Sequence, residues 1–138
     1  MASASDYLEE RILNHIFRTT ALPQSPSVFV ALFTGDPTDA GTGPEVAGGA
    51  YTRVGVGRAD ANWTAPAVSG TNRRISNAIA ITFPSPTLDW GLVTHFAIFD
   101  AITAGNMLVY GQLGVARTVA AGDNPPSFAI GALTIDLG

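Results

Sequence analysis

The chain has 138 residues, 46% of them apolar and only 13% charged, with a net charge of -4, seven arginines, no lysine and no cysteine. Without cysteine there is no disulfide framework, thiolate metal site or cysteine nucleophile, and an acidic chain lacking a dense basic patch argues against a nucleic-acid face. The charged share is about half the usual ~25%, which points to a subunit that buries surface against copies of itself or other chains. The all-arginine basic set fits such interfaces, because the guanidinium fork matches carboxylates and tolerates partial burial; a GC-rich genome would give the same bias.

The first element in chain order is a helix, expected over 5–20. In "SDYLEERILNHIFRT" Leu8, Ile12 and Ile16, with Leu13 and Phe17 beside them, repeat at helical spacing, while Glu9, Glu10, Asn14 and Arg18 take the other side. Ser5 or Asp6 can cap its start, acids occupy the first turn and Arg18 the last, and Pro23 and Pro26 stop it. This N-terminus has no basic segment followed by an apolar core, and no stretch has the ~20 apolar residues of a membrane span, so no membrane partner is expected.

After Pro26 the period changes to two. "SVFVALF" (27–33) reads as a buried strand, "AIAITF" (78–83) turns Ile79, Ile81 and Phe83 inward, and "LVTHFAIF" (92–99), "NMLVYGQL" (106–113) and "ALTIDL" (132–137) follow the same rule. Turn signals separate them at Pro84 and Pro86, at 100–106 and at 120–126. One domain, 1–138, is expected: a mainly β fold, an antiparallel sandwich or barrel of jelly-roll type, with the amphipathic helix packed on its sheet or on a neighbouring subunit, and a β region 27–138 with long loops at 34–50 and 58–77.

The candidates for chemistry are few. Asp36, Asp39 and Glu45 lie in the first loop, but their intervals do not match an EF-hand. "GTGPEV" (41–46) fails as a phosphate cradle because Pro44 lacks an N–H and no helix start follows; "GVGRAD" (55–60) has the same defect, and both glycine pairs read as turns or bulges. His15 and His95 read as packed residues, no G-x-S-x-G or H-E-x-x-H occurs, and a carboxylate pair among Asp89, Asp100 and Asp136 is no more than eight aspartates offer anyway. No cofactor and no enzyme are expected. Trp63, Trp90, Tyr51 and Tyr110 could form a sugar platform, though scattered aromatics more often serve a core. Asn62-Trp63-Thr64 matches a glycosylation sequon that has no meaning without a secretion signal. The segment 58–77, with Arg73 and Arg74, is either a solvated loop or an arm docking on an acidic partner surface.

Three stretches carry a resemblance that extends over nearly the full length: the S-D-Y-L-E helix start, "LFTGDPTDAGTGPEV" (32–46), and the W-G-x-V-T-H-F strand from Trp90 to Phe96. With them the chain resembles the small virion proteins of tailed bacteriophages, labelled tail-fibre-like or capsid decoration proteins. The resemblance implies a structural, non-enzymatic role with no catalytic residues to carry over, and makes the 32–46 loop a Gly/Pro-built connection whose acids bond their own turns. Segment 58–77 and Pro125-Pro126 depart from it. The expectation is a capsid cement protein, made in the host cytoplasm and placed as a homotrimer on the outer capsid surface, where it bridges major capsid proteins. Its expected contacts are Leu8, Ile12, Ile16, Phe17, Arg53, Arg73 and Arg74. The alternative is a tail-fibre or adhesin module that binds the host surface.

Overall fold

The structure, a computed structural model, describes residues 2–138. Its strands are β1 (Ala2–Ala4), β2 (Ser27–Phe33), β3 (Val54–Gly57), β4 (Ala67–Ser69), β5 (Asn72–Ser76), β6 (Ile81–Thr82), β7 (Gly91–Phe99), β8 (Met107–Val119), β9 (Ser127–Phe128) and β10 (Thr134–Leu137). Helix α1 covers Asp6–Phe17. Eight strands form one sheet in the order β3-β2-β7-β8-β1-β10-β5-β4, and β6 pairs with β9 in a separate short ladder. The mainly β fold with one N-terminal helix is as expected. The sheet is mixed rather than wholly antiparallel, because β1 runs parallel to β10 (Ala2 beside Ile135) and antiparallel to β8 (Ala2 beside Gly111).

The two outer strands, β3 and β4, are consecutive in sequence, joined by residues 58–66. That link stitches both ends of the curled sheet. Arg58 donates its N–H to the Pro26 carbonyl (3.1 Å) on the β2 side, and Thr64 and Ala78 close against Ser76 and Asn62 (2.9 and 2.8 Å) on the β5 side. Thus 58–77, expected as a long loop, contains a hairpin at the sheet edge, with Gly70 at φ 61 in its two-residue turn.

The central strands are apolar without alternation because both faces are covered. From Val30 to Phe33 and from Phe96 to Phe99 every residue is buried. On one face Val30, Leu32, Phe96 and Ile98 join Val56, Ile81, Phe83, Trp90, Val93, Val119 and Leu133 in the main core. On the other, Ala31, Phe33, Ala97, Phe99 and Met107 form a second cluster, with the Phe33 and Phe99 rings stacked at 6.2 Å. The 34–50 loop reaches this second cluster: at Gly41 a Cβ would sit 3.4 Å from the Met107 Cβ. The loop folds on itself tightly enough that a Cβ at Gly43 would fall 2.2 Å from the Asp36 carbonyl oxygen, so only glycine fits there.

Strand β8 runs longer than its sequence alternation suggests. Between Val93 and His95 the partner residue jumps from Arg117 to Gln112, so residues 113–116 bulge outward, with Val115 84% exposed. Of the 78–83 run, Ile81 and Phe83 point inward as expected, whereas Ile79 is exposed.

Candidate interaction surface

Helix α1 begins at Ser5, a buried N-cap whose hydroxyl accepts the Leu8 N–H (3.2 Å) and donates to the Met107 carbonyl. It ends at Phe17, three residues short of expectation, with the Arg18 N–H bonding the Asn14 carbonyl. None of its residues is fully buried. Leu8 packs against the main core and Ile12 is half-buried. Leu13, Ile16 and Phe17 are 58, 63 and 77% exposed. Their spacing of i, i+3, i+4 gathers them on one face, so the apolar face expected to be continuous is divided between the chain's own core and solvent. Isolated exposed apolar residues are ordinary; three adjacent ones, on a helix whose other exposed residues are polar, form a patch that can lose water against a partner.

The three arginines expected at contacts have different positions. Arg73 is exposed and lies in cross-strand register between Leu137 and Val68, both also exposed, giving an apolar-flanked cation at the sheet edge. Arg74 grips Asp136 with two bonds, Nε to Oδ1 (2.6 Å) and Nη2 to Oδ2 (2.9 Å). That hydrogen-bonded guanidinium holds the Asp136 carboxyl below the usual carboxylate range, against the opposing effect of desolvation. Arg53 is 7% exposed and turned inward. It forks onto Glu45 (2.8 and 2.9 Å), donates to the Ala101 and Ala104 carbonyls (2.9 and 2.8 Å) and lies 3.6 Å over the Phe99 ring. Its donors are therefore spent within the chain, joining the 34–50 loop to the 100–106 turn. Its position next to Tyr51-Thr52 gave no sequence signal of this; the nearby Glu45, eight residues earlier, was the only available hint.

Tyr51 completes this buried group. Its hydroxyl accepts the Leu32 N–H (3.0 Å) and donates to Glu45 Oε1 (2.9 Å). Burial, reinforced by the adjacent Glu45 charge, raises its phenol well above 10.0, outweighing the Leu32 N–H and the Arg53 cation.

The residues considered for catalysis or ion binding are dispersed. His15 Nδ1 accepts the Leu22 N–H (3.1 Å), and His95 Nδ1 shares a 2.7 Å bond with its neighbour Thr94. Asp89 bonds the Ala121 N–H, and Asp100 bonds Asn106. In the 34–50 loop Asp36 accepts the Thr38 N–H in a local turn, Asp39 accepts from the Tyr110 hydroxyl, and Glu45 takes Arg53. Among the described residues no three such groups converge. The aromatics also separate. Tyr51 and Trp90 meet edge to face in the core at 5.4 Å, with the Trp90 indole N–H donated to the Gly49 carbonyl (2.9 Å). Trp63 alone lines an open cleft of about 630 Å³ at the sheet seam, over Val28, Ile75 and Ile135 with Arg58 and Asp60 at its rim. Among the described residues no helix is long and apolar enough to cross a membrane.

The family described as podophage GP4 fiber I protein gp80 matches residues 3–136, nearly the whole chain. No curated protein matches it. The match spans every described element except the outermost residues of β1 and β10, and the chain belongs to the podophage GP4 fiber I protein gp80 family, a family of phage virion fibre proteins.

Proposed function

We propose that the protein is a non-enzymatic structural subunit of a phage fibre, carried on the tail, which joins copies of itself through exposed apolar side chains. The observation that carries this reading is the Leu13, Ile16, Phe17 patch on a helix with no buried residue, in a chain whose charged share is half the ordinary value. Burial of such a patch supplies association free energy without chemistry, at roughly 25 cal/mol per Å² of apolar surface. Three small contacts fall short of the ~800 Å² per partner of a stable interface, so other surfaces contribute as well; the exposed Val68, Arg73, Leu137 row and the Val115 bulge are suited to this. A homotrimer is the assembly proposed.

A capsid cement role on the outer shell, bridging major capsid proteins, would use the same apolar surface. The family description favours the fibre. Gold-labelled antibody against the protein, imaged on intact virions by electron microscopy, distinguishes the two. Label confined to the tail region is the expected result, and label distributed over the shell would replace the fibre reading with the cement one.

A further inference from the structure

Strand β1 occupies an unusual place. It lies between β8 and β10 and, among the described residues, is the one strand that joins the β3-β2-β7-β8 half to the β10-β5-β4 half of the sheet. Among the described residues three, Ala2–Ala4, fill this slot, and Ala2 is fully buried in it. Just beyond it Ser5 donates its N–H to the Leu108 carbonyl (2.9 Å) and Asp6 its N–H to the Asp39 carbonyl (3.3 Å). Anchoring is therefore concentrated in residues 2–6 and made mostly by backbone and small side chains. From there to β2 the chain is held at fewer points, by Leu8 against the main core and by the Ser25 and Pro26 carbonyls bonded to Arg58. Helix α1 has no fully buried residue, and residues 18–26 form no helix or strand and contain Pro23 and Pro26.

We infer that the β1–α1 segment is an exchangeable donor strand: the slot between β8 and β10 accepts residues 2–6 of a second copy of this chain as well as its own. The occupant seated in the slot is this very segment, so an identical segment from a neighbour reproduces every anchor bond, and only the route of the tether differs. The tether before the Arg58-bonded Ser25 and Pro26, residues 18–24, reaches at most roughly 25 Å, enough to pass into a subunit packed directly alongside. Exchange of an identical element is a low-cost route to assembly, and addition of a strand to a waiting sheet position is an established mode of protein recognition. In the exchanged form each copy's sheet is complete only through its neighbour, and the exposed helix is carried into the junction between them. This inference rests on the reading of the protein as a self-assembling subunit.

The absence of native cysteine allows a direct test. Ser3 lies opposite Tyr110 in the β1–β8 pairing. One population carrying Ser3→Cys and another carrying Tyr110→Cys are unfolded together, refolded at high concentration and oxidised, with wild-type-like circular dichroism required of both. Neither chain can form the designed disulfide within itself. Mixed cross-linked pairs well above those formed by either population alone are expected, up to about half of the chains at complete exchange between equal populations. Mixed pairs at that background level, with a control chain carrying both Ser3→Cys and Tyr110→Cys closing within itself, would overturn the inference. If Tyr110→Cys fails to fold, Ala4→Cys with Val109→Cys, the next pair in the same register, decides by the same outcomes. Light scattering on the same samples separates the two levels. An oligomer without mixed pairs removes exchange and leaves the fibre subunit standing; a monomer at every concentration removes self-assembly itself.

Discussion

Replacing Arg53 by alanine removes a two-bond grip on Glu45, two bonds that hold the Ala101 and Ala104 carbonyls, and the cation over Phe99. Ala104 is itself held at φ 50, a left-handed conformation that costs a non-glycine residue roughly 1–2 kcal/mol and persists only while its surroundings enforce it. Breaking a buried ion pair costs about 3–5 kcal/mol, since the partner is left uncompensated. Glu45 is 27% exposed and regains some water, which moves the expected cost to about 3 kcal/mol at the low end of that range. At ~4 °C per kcal/mol for a chain of this size, Tm should fall by about 12 °C. Thermal and urea unfolding followed by circular dichroism measure it. A double-mutant cycle with Glu45→Gln should show the two losses to be strongly non-additive. A loss under ~0.5 kcal/mol, the range of an unremarkable surface substitution, would refute the assignment of Arg53 as an internal tie and restore it as a contact residue.

The remaining expectations concern pH and surface. Tyr51 has its phenol raised on folding, so the stability it contributes is complete below the ordinary value of 10.0 and is lost as pH rises above it; Tyr51→Phe should flatten the alkaline arm of a Tm-against-pH curve. Asp136 has its carboxyl lowered, so its contribution is present above the ordinary carboxylate value of 3.8 and is lost as pH falls through the lowered one; Arg74→Gln should move acid unfolding to higher pH. Serine at Leu13, Ile16 and Phe17 together should leave each site's stability within ~0.5 kcal/mol, while sedimentation velocity shows weakened self-association; unchanged association would remove the helix from the interface. Gly43→Ala should destabilise by about 1–3 kcal/mol, as overpacking does, because its Cβ would meet the Asp36 carbonyl; unfolding in urea reads this out.

What the sequence reveals follows from how each element is covered. The runs at 27–33 and 92–99 are legible chiefly through 30–33 and 96–99, where both faces of β2 and β7 are buried and every residue is apolar. β3, "VGVG", reads as a turn, yet its Gly55 is a strand residue lying beneath the Phe29 ring of the opposing strand, where a Cβ would come within 3.1 Å. β1, "ASA", is too short and too small in its side chains to show an apolar period, and its place is set by partners more than 100 residues away. The edge hairpin β4–β5 is half-exposed and accordingly polar, which conceals it among loop signals. The bulge at 113–116 breaks the alternation that would otherwise have carried β8 to Val119.

The surface was legible in kind and not in detail. Helical spacing places Leu13, Ile16 and Phe17 beside Leu8 and Ile12 in one expected face, but the structure packs Leu8 on the core, leaves Ile12 half-buried and leaves the other three exposed. The arginines present the same limit. Arg53, Arg73 and Arg74 have equivalent chemistry in the sequence, and only the fold assigns Glu45 to the first, solvent to the second and Asp136 to the third.

The central claim, a fibre subunit rather than a shell component, is tested most directly by the copy number of the protein in purified virions, measured by quantitative mass spectrometry against the major capsid protein. A fibre carried on the tail predicts a few copies per hundred capsid subunits. A ratio near one to one would contradict it and place the protein across the shell as cement.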